Sequence, residues 1–380
     1  MIAASSAIQR LPETHDGVIH RTISGDELRD LAMAGGRAPS GDNAQPWRFE
    51  MDVPEGSLEI ILEPTHDLSP MNVAQRMSLI ACGAALENVV TLAQARGWQT
   101  DVQKFAMKDP ASPARVARIQ FMGHHPQGDS TLAEHVIAER VSNRRIYDAR
   151  PLPPVVLYDL EQIRVDTHCM EIHWLSDRSV LTPLAGLIAR ADTLLFSQPE
   201  MRTAFLKKVR FDLPQSVAAS EGLPLASLQL GAVDRAALRL MPYLPDWFFR
   251  LIGAARVTGA HSQKLVLSAS GVCLVVPREK LPHEELRAGQ AAQCAWLALT
   301  ELGLAAQPMM SLLVLKNALH YGSSQQISGL QIAGVPALLT EFEAFLDSQG
   351  IAHAPCFMLR FGYAPAPDGR TGRRGLGNRI

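Results

Sequence analysis

Apolar and polar positions repeat along this chain with two periods. Leu28, Leu31 and Ala32 recur at helical spacing, behind a Ser24-Gly25-Asp26-Glu27 run whose hydroxyl and carboxylate stand three apart, as in a capping box. The Gly35-Gly36 pair weakens this helix and Pro39 closes it. Trp47 to Met51 then alternates like a strand with one buried face. Further strand candidates are 58–62, 115–122, 171–175, 264–276 and 356–363. Two long amphipathic stretches, 78–98 and 285–304, look alike. Leu79, Leu86, Val90 and Ala93 form the stripe of the first; Leu286, Ala292, Trp296 and Leu299 form that of the second. Each has a glycine near its start, Gly83 or Gly289, and a second one fourteen residues later, Gly97 or Gly303, which fits a helix C-cap. Their alanines allow close helix approach. The pattern predicts a duplicated α+β unit; two unrelated Ala-rich helices are the alternative.

The expected organisation is an N-terminal arm over 1–23, a first half over 24–130 and a second half over 131–380. Turn residues at 126–134 mark the junction. Residues 210–262 fit neither half. They carry Leu213-Pro214, Gly222-Leu-Pro224 and the aromatic-rich stretch from Met241 to Phe249, and they predict an apolar, lid-like insertion. As a membrane-surface helix, 238–252 lacks a basic face.

Composition narrows the function. With 380 residues, 47% apolar and 19% charged, the chain can build a large core. A net charge of −2 argues against a general nucleic-acid or anionic-membrane binder. No uncharged apolar run reaches transmembrane length. Residues 1–17 lack a basic start followed by a hydrophobic segment, so no signal peptide is expected. Cys82, Cys169, Cys273, Cys294 and Cys356 are scattered without a Cys-x-x-Cys, which predicts reduced thiols in a cytoplasmic protein. There is no Gly-x-Gly-x-x-Gly after a strand, no Walker loop, no His-Glu-x-x-His and no Gly-x-Ser-x-Gly. His168, Glu171 and His173 cluster without other ligands at metal spacing, so no metal is expected.

Four segments carry candidate chemistry. Ala38 to Trp47 reads Ala-Pro-Ser-Gly-Asp-Asn-Ala-Gln-Pro-Trp, a turn between helix and strand. The amides of Asn43 and Gln45 donate and accept at once. Glu139 to Tyr147 packs Arg140, Ser142, Arg144 and Arg145 together; forked guanidinium donors suit phosphate oxygens, although a solvated charge run at a helix end has the same composition. Arg360-Phe-Gly362-Tyr363 precedes a Pro- and Gly-broken tail with Arg373 and Arg374. Gly303 to Ser311 contains Pro308, Met309 and Met310 after the second Ala-rich helix.

Together these segments resemble the FMN-dependent nitroreductase family. Ala38 to Trp47 resembles its Pro-Ser-x-x-Asn-x-Gln-Pro-Trp turn, which lies against the flavin ring. The resemblance implies that Pro39, Ser40, Asn43 and Gln45 line the ring. Arg140, Ser142 and Arg144 fall on its Arg-x-Ser-x-Arg phosphate motif, and Arg145 with Tyr147 fits a variant form. Arg373 and Arg374 fall on a terminal basic pair that reaches the phosphate. Pro308, Met309, Met310 and Ser311 fall near the reactive nitrogen; Met310 and Ser311 depart from the acidic and Gly residues common there.

Simpler members of that family are intertwined homodimers whose turn comes from the partner subunit. Here the turn lies in the first half and both basic motifs in the second. The chain therefore resembles a fused pseudo-dimer of the Acg-type subgroup, with one flavin site kept and one lost. The implied function is an FMN-dependent oxidoreductase that passes hydride or electrons from NADH or NADPH to a small organic substrate, acting as a monomer. The implied alternative is a flavin-sequestering or storage protein.

Overall fold

The computed structural model describes residues 21–125, 129–163, 169–212, 220–280, 282–322 and 334–375. Its helices are α1 (Gly25–Gly36), α2 (Arg76–Ala95), α3 (Thr131–Glu139), α4 (Pro154–Glu161), α5 (Arg178–Ser197), α6 (Pro199–Lys208), α7 (Ala232–Leu240), α8 (Asp246–Leu251), α9 (Ala254–Leu267), α10 (Glu284–Glu301), α11 (Ser311–Tyr321) and α12 (Val335–Ser348). Its strands are β1 (Trp47–Asp52), β2 (Ser57–Leu62), β3 (Trp98–Lys104), β4 (Ala114–His124), β5 (Met170–Leu175), β6 (Val209–Arg210), β7 (Leu223–Pro224), β8 (Gly271–Pro277), β9 (Ala305–Pro308) and β10 (Phe357–Gly362).

Two four-stranded antiparallel sheets carry the α+β fold, ordered β1-β2-β4-β3 and β5-β8-β10-β9. The orders become identical when α1-β1-β2-α2-β3-β4 is matched in sequence with α4-β5-β8-α10-β9-β10. One supersecondary unit is therefore present twice. In the first, β1 and β2 are joined across residues 53–56. In the second, the corresponding connection runs from 176 to 270 and holds α5 to α9, while α11 and α12 lie between β9 and β10. The interruption is thus longer than the 210–262 stretch singled out from composition, because α5 and α9 pack extensively on each other as one layer.

Local chemistry explains the first unit's start. Ser24 caps α1 through a reciprocal box, with Glu27 N donating to Ser24 Oγ (3.3 Å) and Ser24 N to Glu27 Oε2 (3.0 Å). Gly35 ends the helix against β1: a Cβ there would stand 2.7 Å from the Phe49 ring. Residues 1–20 of the expected arm lie outside the described residues; Ile23 is buried, and the Arg21 guanidinium sits over the Trp98 ring.

The two Ala-rich helices form the joint between the units. Most of α2 and α10 is buried. At their crossing a Cβ on Gly83 would lie 2.0 Å from the Leu286 carbonyl oxygen, and one on Gly289 would lie 2.0 Å from that of Ile80. The contact is reciprocal, each glycine meeting the carbonyl three residues before its counterpart. Gln290 Nε2 donates to Glu87 Oε2 (3.1 Å) and Gln293 Nε2 to Asn88 Oδ1 (2.7 Å) across the joint, while the Oε1 atoms of both glutamines are buried and accept no hydrogen bond among the described residues.

One strand expectation needs correction, and two edge strands were not expected. The strand expected over 264–276 begins only at Gly271, since Lys264 to Leu267 close α9. The edge strands β3 and β9 carried no sequence signal: β3 is polar and β9 has four residues. By length and composition alone, 73–95 and α5 are apolar enough to cross a bilayer, but the first is 78% buried within the protein. All five cysteines are free.

Candidate functional site

The Ala38 to Trp47 turn has a strained backbone. Asp42, Asn43 and Gln45 have φ of 47°, 58° and 50°, in the left-handed region that few non-glycine residues adopt. Ser40 Oγ accepts from Gln45 N at 2.9 Å and holds the bend. The two amides point to the C-terminal tail. Asn43 Nδ2 donates to Gly372 O (3.2 Å), and its Oδ1 accepts from Arg373 (3.1 Å). Gln45 Oε1 accepts from Arg374 N (2.8 Å), and its Nε2 donates to Ser220 O (2.6 Å). They clamp the tail to the turn, a role that nothing in the local sequence indicates.

The basic segment follows α3. Ser142 bridges to Ala306 and Asn143 N donates to Ala306 O (2.9 Å), which lays 140–144 alongside β9. Around this line the arginines separate into two sets. The outer ones have carboxylate partners: Arg145 with Asp368, Arg370 with Glu139, and Arg374 with Glu221 at 2.6 Å. The inner Arg140 and Arg373 have none among the described residues. Arg140 is buried, donates to Arg37 O (2.8 Å) and lies over the Trp296 ring at 4.7 Å. Arg373 donates to Asn43 and to the carbonyls of Arg37, Ala38 and Gly372. The Nε of each is buried without a partner. Arg144 donates to Ser227 O (3.0 Å), with Asp42 nearby.

Burial, then the neighbouring Arg373 and Arg370, push the Arg140 guanidinium well below its ordinary range. Burial and Arg37 bring Arg373 down to about 10. Guanidiniums that repel each other and keep buried, unpartnered Nε donors call for an anion.

Three adjoining cavities lie here. The first, 150 Å³, is lined by Pro39, Ser40, Asn43, Arg140, Ser142, Arg144 and Arg373, with Arg37, Arg370 and Thr371. The second, 180 Å³, lies against the helix joint and is walled by Ile80, Ala81, Ala84, Gly289, Ala292, Gln293 and Trp296. Pro39, Ser40, Ser142 and Arg144 line both. The third, 640 Å³ and mostly apolar, lies under α7 to α9 and reaches Pro308, Met309, Met310 and Ser311. Gln307, Pro308 and Met310 line the second and third, and Arg144 lines all three.

Of the residues expected from sequence, Gln45, Arg145 and Arg374 line none of these cavities and instead fasten the tail and the basic segment. Sequence reasoning missed Arg37, Trp296, Gln307 and Asp192. Trp296, the one aromatic residue in α10, was the available signal. Asp192 lines the large cavity beside the hydroxyls of Ser262 and Ser311, and burial pushes its carboxyl up to about 6. The Ser311 hydroxyl itself makes no hydrogen bond of normal geometry.

Comparison with known proteins adds kinship. The chain is 27% identical over 354 residues to "Uncharacterized protein MT1398" of Mycobacterium tuberculosis, a match that spans 90% of this chain and 47% of that one. It is 33% identical over 129 residues to "Putative NAD(P)H nitroreductase Rv3131" of the same organism, covering 34% of this chain and 36% of that one. It is 26% identical over 117 residues to "Putative NAD(P)H nitroreductase acg", again from M. tuberculosis, covering 29% and 34%. The chain thus spans half or less of the length of these curated relatives. No protein-family profile matches it. Among solved structures, the FMN-dependent nitroreductase NfnB from Mycobacterium smegmatis in complex with NADPH overlaps 65% of this chain and 96% of its own, at 14% identity and a TM-score of 0.33. By sequence, the chain is similar to mycobacterial proteins named as putative nitroreductases, the acg-named protein among them.

Proposed function

We propose that the chain is an FMN-binding oxidoreductase with a single flavin site, formed by the turn of its first unit and the basic segment and tail of its second. The observation that carries this reading is the inner arginine pair. Arg140 is buried and Arg373 half-buried, neither pairs with a carboxylate among the described residues, and each keeps a buried, unpartnered Nε donor beside the first cavity. A phosphate would supply the missing acceptors and relieve the like-charge repulsion. Ser142 and Arg144 stand in the same wall.

The second cavity continues from the first and has the walls a planar ring needs: small residues of α2 and α10 on one side, and Pro39, Ser40 and Pro308 around it. Bound there, FMN would supply two-electron redox chemistry. The chain's own residues would hold the phosphate, fix the ring against the helix joint and shape access through the third cavity. The exposure of Leu240, Ile252 and Val257, which line that cavity, favours turnover over sequestration, because the route to Pro308–Ser311 is open. NADH or NADPH is the proposed reductant and a small organic molecule the acceptor.

Purified protein should be yellow with one FMN per chain, and anaerobic NADPH or NADH should bleach it. Colourless protein that does not take up FMN would sink the reading. A yellow protein that neither nucleotide bleaches would move it to storage.

A further inference from the structure

The helices α7, α8 and α9 are apolar on two faces. Their inner face lines the 640 Å³ cavity with Leu238, Phe249 and Ala255. Their outer side, with the Met241–Tyr243 turn between α7 and α8, carries Tyr243, Trp247 and Leu251, which are 84%, 66% and 73% exposed. Leu240, Ile252 and Val257 belong to both, lining the cavity while standing open to solvent, and so form its rim. An exposed apolar set of this size around the mouth of an apolar cavity marks a place where something docks.

Charge says what docks. Arg235, Arg239, Arg250 and Arg256 lie on the same three helices, and among the described residues none is in an ion pair. The acids of the stretch are Asp234 and Asp246, and Asp246 is taken by Arg202. The three-helix cap is therefore basic in a chain whose net charge is −2. Arginines interleaved with Trp, Tyr and Leu on short amphipathic helices are the composition of an interfacial element facing anionic lipid. A second copy would bring the same four arginines to an isologous contact and be repelled.

We propose that the α7–α9 cap docks on an anionic bilayer surface and that the cavity beneath it takes an amphiphilic substrate directly from the lipid. The apolar body lies against Leu238 and Phe249, and a hydrogen-bonding head reaches Asp192, Ser262 and Ser311 at the inner end. The basic residues are spread over three helices, which is why the 238–252 stretch read alone lacks a basic face. The proposal rests on the flavin reading only in making the inner end the reactive one. Docking and uptake can be measured without any turnover.

The test is cosedimentation of the full chain with phosphatidylcholine vesicles, with and without phosphatidylglycerol. Binding is expected only with the anionic lipid, and should fall roughly tenfold or more in Arg239→Glu/Arg250→Glu and in Trp247→Asp/Leu251→Asp, with circular dichroism and FMN content unchanged. Absence of binding to either vesicle, equal binding by both variants, or a dimer in light scattering that the same variants dissolve would each overturn it. Uptake is read with vesicles carrying a pyrene-labelled alkane, whose excimer emission should drop as the wild type extracts it. Ala255→Trp, which fills the cavity, should dock yet leave the excimer emission unchanged; undiminished extraction by that variant would overturn the cavity assignment. FMN content, followed in the same samples, reads the flavin proposal separately.

Discussion

The two units of this chain share a strand order and differ in nearly everything between the strands. The first joins β1 to β2 through residues 53–56; the second spends residues 176–270 on the same step. The first supplies the site with one turn. The second, with the segment before it and the tail after it, supplies the arginines and the large cavity. The residues of the proposed phosphate site thus lie outside the strands that the two units share.

The equivalence of the units is most exposed at the helix joint. Gly83→Ala and Gly289→Ala each drive a methyl to 2.0 Å from a backbone carbonyl of the facing helix, so neither can be relieved by a rotamer change. Each should destabilise by about 3 kcal/mol or more in denaturant titration, and by similar amounts. A large difference between the two would break the proposed symmetry.

The asymmetry is tested at the arginines. Arg140→Ala and Arg373→Ala should each weaken FMN retention by about 1.5–3 kcal/mol in equilibrium dialysis. Burial and Arg37 lower Arg373 to about 10, so its charged form is disfavoured in the fold. The FMN-free Arg373→Met variant should therefore melt no lower than FMN-free wild type, while the FMN-loaded comparison reverses. Arg374→Ala, whose side chain pairs with Glu221 outside the cavities, should change FMN affinity little.

The interruption of the second unit predicts a pH signature. Burial pushes Asp192 up to about 6, above its unfolded value, so the fold binds a proton that the unfolded chain releases. This contribution is fully present below about pH 4 and is lost as pH rises through about 6. Asp67, in the first unit and also raised to about 6 by burial and by Asp42, adds in the same direction. Asp192→Asn should raise the melting temperature more at pH 7.5 than at pH 4; an equal rise at both would show that the carboxyl is solvated. The smallest effect is expected at the unit starts. Ser24→Ala removes a cap and should cost about 1 kcal/mol in chemical denaturation. Pro154→Ala at the start of α4, which has no side-chain cap, should cost less.

Much of this molecule was legible in its sequence for local reasons. The Ser24–Glu27 box and the glycines of α2 and α10 announce themselves within a few residues. The joint was readable because both copies kept Gly83 and Gly289 and their later partners, Gly97 and Gly303, at equal spacing. The division of the arginines was not readable. Arg140 and Arg145 have the same side chain five positions apart, and only the fold decides that one is buried without a carboxylate while the other meets Asp368. Gln45 belongs to the turn motif, yet its amide grips Ser220 and Arg374, residues about a hundred and seventy-five and three hundred and thirty positions away. No local pattern encodes such partners. β3 escaped for the opposite reason: as an edge strand it shows water a polar face and lacks the alternation that reveals a half-buried strand.

The reciprocal crossing of Gly83 and Gly289 has one further consequence. When two identical subunits meet on a twofold axis, every mutation at the contact arrives in duplicate, so a favourable change on one side must be tolerable on the other. On a single polypeptide the two sides are separate genetic positions. With Gly83 matched to Gly289, Glu87 is equivalent to Gln293 and Ala84 to Gln290, and only such independence permits equivalent positions to differ in this way. Evolution could thus write different instructions on the two faces of one joint, one residue at a time.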